Sequence, residues 1–200
     1  MSKSRKLPLQ NRVDPFGRLV SEPARGAMMG NRGGRFHRPD QTLGKRRWAS
    51  RQWICCNLNF NERKRSVWGN SYTELFFLDE VVALSAGHRP CAECRRAAFN
   101  AFKAATGLAQ ASEIDSILHP QRLALHRPVH SAIDDLPDGA VVGSNGVAYV
   151  RRQNAYFCFQ LNAWVACERP LGQVDVLTPA LSLKALTGGY SPLWHESASI

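Results

Sequence analysis

The chain has 200 residues, 44% of them hydrophobic, and a formal net charge of +10. That is enough for one domain, or a small domain with an appendage, around a real core. No long apolar run is present and the first residues lack the apolar core of a signal peptide, so we expect no membrane span and a cytoplasmic location.

Residues 1–50 show no strong periodicity and are dense in Gly, Pro and Arg, which predicts extended segments and turns wrapped on the core. Within them, Arg25 to Arg35 reads as a backbone that comes close to another group, such as a phosphate. It lacks the Gly-Lys-Ser/Thr ending of a P-loop. Residues 53–60 alternate, with Ile54, Cys56, Leu58 and Phe60 on one face, which predicts a half-buried strand with that face inward and Cys55 pointing away. Arg63, Lys64 and Arg65 then form a basic cluster beside Trp68, as a nucleic-acid contact or a hairpin tip would.

Tyr72 to Leu78 reads as a second strand. Asp79 is a predicted N-cap for a helix over Glu80 to Ala86, with Val81, Val82 and Leu84 inward and Gly87 as its left-handed stop. A longer helix is expected from Arg95 to Thr106, closed by Gly107, and another from Ser112 to Leu118, stopped by Pro120. From Leu136 onward, short apolar runs separated by turn residues predict a small antiparallel sheet or partial barrel, followed by a helix over 179–187. The aromatic residues Tyr149, Tyr156, Phe157, Phe159 and Trp164 are expected to build its core. The fold class is therefore α+β, divided into a basic N-terminal domain over 1–107 and a β-rich domain with short helices over 108–200.

Charge is uneven along the chain. Residues 1–103 hold 20 Lys+Arg and 8 Asp+Glu, whereas residues 104–200 hold 6 and 8. Fifteen of those 20 cations are arginine, whose planar fork suits phosphate better than a lysine point charge does. The expected partner is nucleic acid, DNA before RNA, with a solvated basic face as the plainer alternative. The candidate contacts are Arg25, Arg32, Arg35, Arg38, Arg46, Arg47, Arg63, Lys64, Arg65, Arg89, Arg95 and Arg96.

Cys91 and Cys94 form a Cys-x-x-Cys turn, half of a tetrahedral metal site, because such a turn lets both sulfurs face one ion. The pattern also fits a redox pair or two ordinary cysteines. In a cytosolic chain the six cysteines are expected to serve metal or core rather than disulfides. Two ligands are missing, and His37, Cys55, Cys56 and His88 are the candidates. We prefer Cys56 from its strand face. Cys158 and Cys167 read as core or surface thiols.

The string Phe77 to Cys94, with Ala86-Gly87-His88-Arg89-Pro90-Cys91-Ala92-Glu93-Cys94 at its end, resembles the second half of the Ada-type zinc-binding domain. Gly30, Asn31, Phe36, His37 and Pro39 match the first half as it stands in versions appended to bacterial nucleases. The resemblance covers about residues 30–96. It implies one structural zinc held by His37, Cys91 and Cys94. The family's remaining cysteine falls at Gln41 here, so Cys56 is expected to take over, with Gln41, Asp40 or Cys55 as weaker substitutes. In the repair version, a zinc-bound cysteine takes a methyl group from a DNA phosphotriester. Its position carries His37 here, so that transfer is not expected unless Cys56 plays the part.

His119, His126 and His130, with Asp134 and Asp135 close behind, are a candidate set for a metal-assisted nuclease. A protein-interaction module that binds an acidic partner is a third class.

Overall fold

The computed structural model describes residues 8–62, 66–125 and 127–200. Among these residues two sheets, both mostly antiparallel, and four α-helices give the expected α+β fold. The first sheet contains β1 (Arg12–Val13), β2 (Leu19–Val20), β3 (Met28–Arg32), β4 (Trp53–Asn57), β5 (Leu75–Phe77) and β6 (Arg89–Pro90), in the order β2-β1-β5-β3-β4-β6. The β1–β5 and β4–β6 pairs are parallel. The second sheet contains β7 (Val129–His130), β8 (Val141–Ser144), β9 (Val147–Arg152), β10 (Ala155–Gln160), β11 (Ala163–Cys167) and β12 (Val174–Val176). Its order is β11-β10-β9-β8-β12-β7, antiparallel throughout.

The helices follow the sequence signals closely at their caps. Asp79 caps α1 (Glu80–Ser85) by accepting from Val82 N at 2.9 Å. Gly87, at φ +79°, takes the left-handed turn after it, and a Cβ there would lie 2.5 Å from Arg122 Cβ. α2 (Arg96–Thr106) buries Phe99 and Phe102 and ends on left-handed Gly107. α4 (Ala180–Thr187) is the last regular helix of the chain and stops at Gly188 and Gly189.

α3 departs from expectation. It runs from Ala111 to Leu123, through Pro120 instead of ending before it. Proline removes one helical N–H bond. The turn beyond it is held from outside by Arg122, which donates to Gly87 O at 2.8 Å and Arg51 O at 2.5 Å.

The glycine-rich segment packs closely on protein. Gly30 lies against β4 and β5, where a Cβ would stand 2.2 Å from Ile54 O and 2.8 Å from the Phe77 ring. No side chain larger than hydrogen fits at that point.

The two sequence halves share a core. Val141, Val150, Phe157, Trp164 and Leu177 of the second pack in one cluster with Leu75, Phe77, Val81 and Val82 of the first. Buried polar groups tie the halves as well. Trp164 Nε1 donates to Asp79 at 2.7 Å, and His195 N to the same oxygen at 3.0 Å. Glu80, fully buried, accepts from Arg95, from Tyr190 Oη at 2.5 Å and from Leu193 N at 2.8 Å.

Candidate metal centre

β4 exposes its two faces differently. Trp53 and Cys55 point into the core at 3% and 0% exposure, whereas Ile54 and Cys56 face the other way. This corrects the inward face expected from the alternation of Ile54, Cys56, Leu58 and Phe60. The difference has a physical cause: cysteine ranks with isoleucine among the most buried residue types and tryptophan is highly buried on average, whereas Leu58 is exposed at 45%.

The outward face nevertheless carries the site. Cys56, Cys91 and Cys94 place their Sγ atoms within 4.8 Å of one another, the sole group of three or more candidate ligands among the described residues. Three interactions bring them together. β6 pairs in parallel with β4, setting Ile54 against Arg89 and Cys55 against Pro90. Cys91 N donates to Cys55 O at 2.9 Å. Asn57 Nδ2 donates to Cys94 O at 2.9 Å and fixes the far end of the turn. Within that turn Glu93 N points at Cys91 Sγ, 3.4 Å away.

The donor set suits a metal ion. Sulfurs about 2.3 Å from a tetrahedral zinc lie roughly 3.8 Å apart, inside the observed limit. Hydrogen bonds from Cys56 and Cys94 hold Cys91 well below the usual thiol range, while the bonds to Cys91 and Cys94 push Cys56 up. A thiolate is thus favoured at Cys91, and the thiolate is the form that ligates metal. Cys55 plays a different part. It is fully buried, burial raises its pKa, and Arg95 Nη1 approaches its sulfur at 3.8 Å.

His37 is elsewhere. Nδ1 lies 2.8 Å from Thr73 Oγ1, Nε2 lies 3.0 Å from Gly69 O, and the ring stacks on Trp68 at 5.2 Å. Both nitrogens serve the loop that packs on the sheet, so the structure keeps this residue out of the cysteine group. Asp40 is not part of that group either and accepts from Thr42 instead, while Gln41 Nε2 donates to Val67 O at 3.4 Å.

The arginines divide into two sets. Arg89 pairs with Asp115 at 2.8 Å and Arg95 with Glu80 at 2.5 Å, every partner at most 4% exposed in its side chain. Arg32 is 2% exposed, lies 4.0 Å over the Trp53 ring and donates to Gly17 O. These three are structural and cannot reach a polyanion, which corrects the set of expected contacts. Arg122, which no local motif marked, covers Trp53 at 4.2 Å beside Arg32. Burial first, and Arg122 second, lower the Arg32 pKa to about 9.

Arg25, Arg35, Arg38, Arg46 and Arg96 are exposed and Arg47 half-buried. Most of them lie in the connection between β3 and β4. Residues 33–52 contain six cations and one carboxylate. Trp48, half-buried in the same connection, packs against Trp53 at 6.1 Å and His119 at 5.9 Å. Arg63, Lys64, Arg65 and His126 lie outside the described residues.

His119 and His130 have separate surroundings. His119 sits with Arg122 and the two tryptophans, whereas His130 contacts Ala132 O and Asp135 at 3.2 and 3.7 Å. Asp134 is bound to Tyr156 and Arg169. Among the described residues these groups do not form a metal cluster. Cys158 and Cys167 lie close together on the β10–β11 hairpin, and burial, then Cys158, pushes the Cys167 thiol up to about 12.

No family model, no curated protein and no solved structure matches this chain.

Proposed function

We propose that this is a zinc protein that binds nucleic acid, DNA before RNA, through the arginine-rich connection between β3 and β4. The observation that carries the reading is the density of exposed cations there, with Arg35, Arg38, Lys45, Arg46 and Arg51 at or near the surface and Asp40 the lone acid. Phosphate contacts of this kind supply most of the affinity for a polyanion. Zinc is the metal best suited to three converging thiolates, and the Ada-type resemblance of residues 77–94 supports it. The metal would hold β4, the Cys91–Cys94 turn and the start of α2 together.

The test is anisotropy of labelled single- and double-stranded DNA across a salt series. Affinity should fall steeply with salt, and the double variant Arg38→Ala/Arg46→Ala should lower the slope of log K against log salt by about 2, close to one for each phosphate that is no longer neutralised. Indifference to DNA at low salt would overturn the reading and turn the basic surface toward an acidic protein partner.

A further inference from the structure

The three cysteines form one wall of a cavity of about 250 Å³. Its floor is the face of the first sheet that turns away from the core. Met29 and Asn31 of β3, Ile54 and Cys56 of β4, and Phe76 of β5 line it. Their register makes that face continuous: Met29 stands opposite Cys56 and Phe76, and Asn31 opposite Ile54. Glu74 completes the lining just before β5, at 2% exposure. One of its carboxylate oxygens accepts from Trp68 N at 2.8 Å, and among the described residues no cation pairs with it.

Structural zinc sites are closed by four protein ligands, whereas sites that act on a ligand keep one position open. Here, among the described residues, no further His, Cys, Asp or Glu joins the group of three sulfurs, and all three cysteines border the same cavity. The fourth direction of a tetrahedron held by them therefore has a place to lead. A buried carboxylate without a cation is costly, and in a cavity it is a natural acceptor for a ligand's N–H.

We propose that the metal centre keeps its fourth position open toward this cavity and takes there a small flat heteroaromatic ring. A ring nitrogen would ligate the metal, an N–H would donate to Glu74, and the apolar faces would lie on Ile54 and Phe76. The pocket commits the centre to exchange of ligands, water in the resting site and the ring when bound. It rests on the metal reading above but not on nucleic-acid binding.

Cobalt(II) tests it directly, because thiolate-to-cobalt absorption reports the three cysteines and the d–d bands report the fourth ligand. The full chain loaded with cobalt should show the thiolate bands, and imidazole should shift the d–d bands saturably. Glu74→Gln should weaken imidazole about tenfold, as loss of a charge-assisted hydrogen bond does. Ile54→Trp, which fills the cavity, should abolish the shift while keeping the thiolate bands. Those bands show in each variant that the site is still assembled. Thiolate bands with d–d bands unmoved by imidazole would mean a closed site and overturn the proposal alone. A full imidazole response in Ile54→Trp would place the ligand outside the cavity and overturn it as well. Absence of the thiolate bands would overturn both this proposal and the metal reading.

Discussion

The two sheets solve the same problem with different means. The second is a run of hairpins, β8 to β11, paired in regular antiparallel register, whose inner side chains Val141, Val150, Phe157 and Trp164 are apolar and almost wholly buried. The first has strands of two to five residues and two parallel pairs, and charge crosses its surroundings at depth. Glu80–Arg95 and Arg89–Asp115 are buried ion pairs, and Arg32 and Arg122 lie on Trp53. Buried pairs add little net stability compared with apolar packing, but removing one partner is expensive. What they do is hold directions. Arg89 and Arg95 flank Cys91 and Cys94 on both sides, so the paired carboxylates Asp115 and Glu80 anchor the two ends of the cysteine turn. The candidate site occurs in the sheet that is pinned by charge, not in the one that is packed by repetition.

That contrast can be broken most sharply at Glu80. Glu80→Ala leaves Arg95 and Tyr190 Oη buried without their partner and should cost about 3–5 kcal/mol in denaturant unfolding. A cost below about 1 kcal/mol, the range of an exposed pair, would show that the pair is not what holds this region.

The join between the sheets should give the next largest effect. Trp164→Phe removes the indole bond to Asp79. It should cost about 1.5–3 kcal/mol, the range for a hydrogen bond to a charged group. Thermal or urea unfolding would read it.

Acid should distinguish the regions too. His88 is fully buried, and burial, then Arg32 and Arg122, lower its pKa well below the ordinary value. Above about pH 6.5 both folded and unfolded chains carry it neutral. Below that, the unfolded chain takes up a proton that the folded one refuses, so stability falls as pH drops. His88→Gln should flatten this part of the pH–stability curve, and an unchanged curve would assign it to other groups.

The smallest effect on the fold belongs to the exposed arginines. Arg46→Ala should change stability by no more than about 0.5 kcal/mol while weakening DNA binding and its salt dependence. If it destabilises as much as Trp164→Phe, the division into structural and surface arginines is wrong.

Particular residues show how far sequence reached. Asp79, Gly87 and Gly107 mark their helix ends because capping is local chemistry, settled within four residues. Cys91 and Cys94 were legible for the same reason, as a spacing. Cys56 was named from the wrong face of its strand, since alternation alone does not say which side the core will occupy. His37 matched a motif but is held by Thr73 and Gly69, 36 and 32 residues away.

The sequence by itself determined the local signals: where helices are capped, where hairpins turn, that two cysteines share a turn, and that positive charge concentrates in the first half. Tertiary structure alone decided which arginines are spent on Glu80, Asp115 and Trp53, and which remain at the surface. It also decided that Cys56 meets Cys91 and Cys94 across the β4–β6 pair, at the edge of a cavity. The reason is physical. Caps and turns depend on neighbours in the chain, whereas an ion pair, a stacked ring or a metal's third ligand depends on which distant segments the core brings into contact.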